Sequence, residues 1–182
     1  MRQDQTCPVA CSESRLELVR GADYDELTRA AAACRARLHG LRAVVAELAG
    51  TQPAPDGWMT AYQALQQAAR SALRRFRPAA AGWDDPVDTV VVWRCQECGG
   101  LDAPQPCLGV CIWRPAAWVD AASYESARAR AAIDREAEQS LAGLLGRLAF
   151  VTPHAGRWEQ SLRALRQQAR RALSASSADR HP

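Results

Sequence analysis

Seven cysteines carry most of the chemistry open to this chain of 182 residues. Four of them, Cys95, Cys98, Cys107 and Cys111, fall within W-R-C-Q-E-C-G-G-L-D-A-P-Q-P-C-L-G-V-C-I-W, residues 93–113, as C-x2-C followed by C-x3-C. Two sulfurs separated by two residues can both be aimed at one ion, and Gly99 and Gly100 let the chain turn tightly beneath it. Deprotonated sulfur suits zinc or iron, and four sulfurs in a tetrahedral array close the coordination sphere, leaving no position for a substrate. The expected site is therefore Cys95, Cys98, Cys107 and Cys111 around a structural Zn2+, with iron or an iron–sulfur cluster as the alternative cofactor.

The C-Q-E-C-G-G half resembles a zinc-ribbon knuckle, and the resemblance covers residues 93–113 alone. It implies a small Cys-rich ribbon built on a metal. The second pair, with three intervening residues and no following glycine, departs from the doubled C-x2-C-G pattern of such ribbons. Trp93 and Trp113 flank the thiols, each two residues from the nearest cysteine. Alternation along short strands places them on the cysteine face, where they would shield sulfur from water, with Arg94 and Arg114 pointing the other way.

The remaining thiols are less tightly specified. Cys7 and Cys11 form another C-x3-C, a second metal site or a share in the first. Cys34 lies on an apolar helical stripe and reads as a core residue. Asp134 and Glu138, one helical turn apart, have the spacing of paired carboxylate ligands, but a solvated helix face is the simpler expectation. His39, His154 and His181 have no ligand spacing. The chain carries no phosphate-binding glycine loop, no H-E-x-x-H and no Ser-His-Asp set, so nothing marks it as an enzyme.

Helices must position these groups. Tyr24, Leu27, Ala31, Cys34, Leu38, Leu41, Val45 and Leu48 recur in steps of three and four, the pattern of one helix face. Asp23 and Glu26 have capping-box spacing at its start. Trp58, Tyr62, Leu65, Ala69, Ala72 and Phe76 make a second stripe, ended by Pro78. Thr89–Trp93 reads as a short strand leading into the knuckle, with Gly109–Trp113 as its expected partner. Helical pattern returns from about Ser123 to Ala149, and Thr152 and Pro153 are expected to open a last helix bearing Trp158, Leu162, Leu165, Ala169 and Ala172.

Laid on itself at an offset of one hundred residues, the chain matches without a gap. Tyr24 meets Tyr124, Arg35 meets Arg135, Leu41 meets Leu141, Pro53 meets Pro153 and Trp58 meets Trp158. About twenty identities fall in some seventy positions, where this composition gives roughly six or seven by chance. Cys7 and Cys11 align with Cys107 and Cys111, so each half opens on C-x3-C and enters a helical hairpin.

The expected fold is mainly α: two duplicated hairpins forming a four-helix bundle about a pseudo-twofold, with a small Cys-rich β-ribbon metal site at one end. The boundaries are 1–88 for the first repeat and linker, 89–115 for the ribbon, 116–174 for the second hairpin and 175–182 for a disordered tail.

Composition narrows the setting. The net charge is +3, and all 23 basic residues are arginine. Arg70, Arg74, Arg75 and Arg77 collect at a helix end, where cations complement the dipole. Glu97 and Asp102 beside the thiols argue against a nucleic-acid interface. No apolar run is long enough to cross a membrane, and the N-terminus lacks a secretory core. Seven thiols without an export signal point to metal ligation in a reducing, cytoplasmic setting. Two functions compete: a metal-stapled accessory protein that binds a partner protein, and a small iron-site electron carrier or oxidoreductase subunit. An oligomer is compatible with either.

Overall fold

The computed structural model describes residues 13–77, 87–95, 101–102 and 117–178. In chain order the elements are β1 (Glu13–Arg20), α1 (Gly21–Gly50), α2 (Trp58–Arg75), β2 (Thr89–Cys95), β3 (Leu101–Asp102), β4 (Trp118–Asp120), α3 (Ala121–Phe150) and α4 (Trp158–Ala178). The protein is mainly helical, with one antiparallel sheet of order β3-β2-β1-β4. α3 begins and ends one hundred residues after α1, and α4 begins one hundred after α2. The duplication read from the sequence is thus a duplication of structure. The chain divides into two compact units, one holding the strands with the first turns of α1 and α3, the other holding the rest of those helices with α2 and α4.

In the strand unit, β1 is central. It pairs with β2 from Glu13↔Cys95 to Val19↔Thr89 and with β4 from Leu18↔Asp120 to Arg20↔Trp118. The middle rung of the second ladder sets Val19 opposite Val119, its own repeat counterpart. An antiparallel ladder centred on such a pair has a local twofold between the two residues. β1 alternates from Arg15 to Leu18, with Arg15 and Glu17 exposed and Leu16 and Leu18 half-buried, while Val19, on the side of Arg15 and Glu17, is buried. Gly21 follows directly, and its N–H donates to the Ala117 carbonyl at 2.7 Å. A Cβ at Gly21 would sit 2.8 Å from the Ala117 Cβ and 3.0 Å from its carbonyl oxygen, so the close approach requires glycine. Leu27 and Tyr124 are buried in this unit, and burial raises the Tyr124 hydroxyl pKa above its ordinary value.

In the helical unit, one core draws on all four helices. α1 supplies Leu38, Leu41, Val45 and Leu48, α3 supplies Leu141, Leu144, Leu145 and Leu148, α2 supplies Tyr62, Leu65 and Ala69, and α4 supplies Leu162 and Ala169. Each fully buried leucine contributes about 1.5–3 kcal/mol relative to exposure, so the stripe is the main force holding these helices together. Counterparts are buried alike: Leu41 with Leu141, Leu48 with Leu148, Ala49 with Ala149, Ala69 with Ala169. α2 and α4 approach most closely, and the small Ala69 and Ala169 permit it. In the first hairpin the Phe76 ring lies flat on Gly40, where a Cβ would collide with it.

The two interhelical loops also match. Gly57 N–H donates to the Ala54 carbonyl at 2.9 Å, and Arg157 N–H to the His154 carbonyl at 3.0 Å. Gly156 takes φ 80°, a left-handed conformation that favours glycine. The C-terminal carbonyls of α3 are met by α2: Tyr62 Oη donates to the Val151 oxygen at 2.8 Å and Arg70 Nε to the Ala149 oxygen at 2.7 Å. That satisfies acceptors a helix end leaves open and places a cation at the negative end of the dipole. Tyr62 packs edge-on against Trp158 at 5.4 Å.

Several sequence expectations give way here. Asp23 does not cap α1; the helix starts at Gly21, and Asp23 accepts from Arg20 Nε at 2.9 Å. The reason is tertiary, since β1 runs straight into α1 and the Ala117 carbonyl takes the first free N–H. A cap appears instead at α3, where Asp120 Oδ2 accepts from the Ser123 N–H at 3.2 Å. Thr152 and Pro153 do not open α4, which begins at Trp158 after a loop matching that before Trp58. α4 runs to Ala178, so the expected tail boundary at 175 falls inside the helix. The strands beside β2 are β1 and β3; Gly109–Trp113 lies outside the described residues.

Candidate functional site

Of the expected metal ligands, Cys98, Cys107, Cys111, Cys7 and Cys11 lie outside the described residues. Cys95 is the last residue of β2. β3 returns antiparallel to β2, with Arg94↔Leu101 and Trp93↔Asp102, so the five residues 96–100 that complete C-Q-E-C-G-G join two paired strands. The other neighbour of Cys95 is Glu13, the first residue of β1 and two positions after Cys11. Valine-rich β2 forms a strand because β-branched side chains suit the pleated ladder. Its pairing on both edges fixes the backbone up to the first thiol.

A second cluster lies within the helical unit, between α1 and α3. Glu138 is 5 % exposed, the one buried charged residue among the described residues. Its Oε1 accepts from Arg37 Nε at 2.8 Å, and its Oε2 accepts from Arg37 Nη2 at 3.2 Å and from the Cys34 thiol at 2.9 Å. Arg35 and Asp134 pair nearby at 3.7 Å, more exposed. Three donors on one carboxylate offset the desolvation that burial imposes on a charge. Glu138 is accordingly no part of a solvated face, contrary to the expectation from sequence. Cys34 is a core residue as expected, fully buried. Burial first, then the hydrogen bond to Glu138, push its thiol up to about 12. It holds its proton at neutral pH, and a thiol is neither nucleophile nor soft-metal ligand until it is ionised. Arg37 is raised above its already high value, chiefly by Glu138, and stays a cation.

The sequence carried a signal for this cluster. Cys34, Arg37 and Glu138 stand where the repeat has Asp134, Ala137 and Leu38. Polar substitutions on the shared apolar stripe of a duplicated helix need a partner, and each is the partner of another.

Among the described residues no three Cys, His, Asp or Glu side chains converge as a metal site. A groove of about 210 Å3 between α3 and α4 is lined by apolar Ile133, Ala137, Leu141, Ala172 and Ala175, with Glu136 and Ser140 as its polar groups. No described helix is long and apolar enough to cross a membrane. Comparison with family models, curated proteins and solved structures returned no match for this chain.

Proposed function

We propose that this protein is a metal-binding accessory protein of the cytoplasm. In this reading Cys95, Cys98, Cys107 and Cys111 hold a structural Zn2+, and two duplicated hairpins form a four-helix bundle that docks a partner protein. The carrying observation is the place of Cys95, at the end of a strand whose antiparallel neighbour resumes just past the two glycines. A strand pair closed by C-x2-C-G-G fits a tetrahedral thiolate site, and such a site fixes structure where the core is thin. The register Glu13↔Cys95 supports a share for Cys7 and Cys11, because the chain leaving Cys11 enters the ladder at that rung. In the helical unit the buried Cys34 thiol and the paired Glu138 are committed to packing, which favours a binding role over catalysis.

Anaerobic purification followed by metal analysis and an absorption spectrum tests the assignment. About one zinc per chain in colourless protein is the expected result. Iron with sulfur-to-metal absorption would replace the reading with an electron carrier on the same thiols. Protein without bound metal would end both. Cys95→Ser and Cys107→Ser are expected to lose metal and thermal stability together; Cys7→Ser is expected to leave the principal site filled, and loss of all metal from it would favour a site shared with Cys7 and Cys11.

A further inference from the structure

A duplicated chain faces a pairing problem. If its two halves stay alike, α1 can pack on the α3 of its own chain or on the α1 of a second copy, and an apolar stripe does not tell them apart. Ala31, Leu41, Leu48 and Ala49 have identical counterparts in Ala131, Leu141, Leu148 and Ala149, so this part of the buried stripe offers no discrimination. The polar departures on the buried stripe fall together. Cys34 and Arg37 on α1 are donors, Glu138 on α3 is their common acceptor, and the aligned residues Asp134, Ala137 and Leu38 could not reproduce the arrangement with the helices exchanged.

We propose that the Cys34–Arg37–Glu138 network is a recognition device by which α1 selects α3 and rejects a second α1, keeping the duplicated chain from assembling with itself. Like-with-like pairing would set Arg37 against Leu38 of a second copy, or Glu138 against a second copy's Asp134 and Ala137, in either case without the opposite charge. Either arrangement leaves a buried charge unpaired, which is far costlier than replacing the whole network with apolar side chains. The Arg35–Asp134 pair, at 3.7 Å and more exposed, has the same sense, because the counterpart of Asp134 is Cys34, but an exposed pair contributes little. A single buried polar contact that fixes partner and register is the best-attested use of such groups in packed helices. The linkage of the halves in one chain then favours pairing within that chain, through effective concentration.

The test gives each half the residues of the other, in the full chain: Arg37→Ala with Glu138→Leu, matching Ala137 and Leu38. Tagged and untagged chains are unfolded together, refolded, and captured by the tag; light scattering on the eluate gives the mass. Wild type is expected to return to its native mass. The double variant, folded by circular dichroism, is expected to carry about tenfold more untagged chain, the ratio a 1.4 kcal/mol loss of discrimination produces. A folded double variant with the wild-type capture ratio overturns the proposal. Should that variant fail to fold, the charge-reversed pair Arg37→Glu with Glu138→Arg decides. It keeps unlike recognition and is expected to match wild type, and a mixed population from it overturns the proposal.

Discussion

Removing the guanidinium from the α1–α3 contact should be among the most damaging single changes in the helical unit. In Arg37→Ala the Glu138 carboxylate, 5 % exposed, keeps only the Cys34 thiol at 2.9 Å as a donor. Breaking a buried ion pair from one side typically costs 3–5 kcal/mol, because the surviving charge stays desolvated. The Arg37 side chain is itself 18 % exposed, so water can reach part of the space it leaves. That places the expected loss near the lower end, at about 3 kcal/mol. For a chain of this length, 1 kcal/mol moves the midpoint by about 2–4 °C, giving a fall of roughly 6–12 °C.

Urea and thermal unfolding monitored by circular dichroism measure both numbers. Arg35→Ala is the control: its pair with Asp134 spans 3.7 Å with Arg35 57 % exposed, and a loss of about 0–1 kcal/mol is expected. Arg37→Ala with Glu138→Leu should be more stable than Arg37→Ala alone, since no charge is then left buried. An Arg37→Ala chain within about 1 kcal/mol of wild type would show that Glu138 is solvated in solution, and the reasoning would fail.

The glycines give opposite expectations. Gly21→Ala drives a methyl into the Ala117 backbone and should destabilise by about 1–3 kcal/mol, read by urea unfolding. Gly143→Ala, exposed within α3 with nothing near its added carbon, should stabilise by about 1 kcal/mol through helix propensity. Alkaline pH should expose the Cys34 thiol's contribution. Its pKa rises from the usual 9.0 to about 12 in the fold, so the unfolded chain releases that proton first. The stability gained is fully present below pH 9 and is lost as pH climbs toward 12. Unfolding curves across that range should fall less steeply for Cys34→Ala, and identical slopes would count against the buried thiol.

All four helices were legible in the sequence because their stripes are long and periodic, and a local pattern needs no knowledge of the partner. The offset of one hundred added more than periodicity does, since Pro53 with Pro153 and Trp58 with Trp158 mark the same loop and helix start twice. β2 was legible from its valines. β1 was not, because its apolar residues are only Leu16, Leu18 and Val19, the last breaking the alternation, and its pairing with residues 89–95 and 118–120 is remote in sequence. Asp23 and Thr152 misled for a related reason, as a tertiary hydrogen bond and a seven-residue loop replaced the local caps that their types favour. Of the candidate site, the spacing of Cys95 and Cys98 was plain, and the strand pair that carries Cys95 adds its scaffold. The Glu138 network escaped because each member reads as surface or core by itself, and only comparing the halves shows them answering one another.

The rung that sets Val19 against Val119 bears on how quickly the chain reaches its native state. Closing it joins segments a hundred residues apart, as does the Cys34–Glu138 contact, with a separation of 104. Contacts of that range form late, because the entropy of closing a long loop is lost before the contact returns anything. Each hairpin, by contrast, closes over a seven-residue loop. Refolding should therefore show early helix formation and a slower step in which the halves find each other. During that interval the stripes later buried between α1 and α3 stand open to other chains, so refolding yield should fall with concentration.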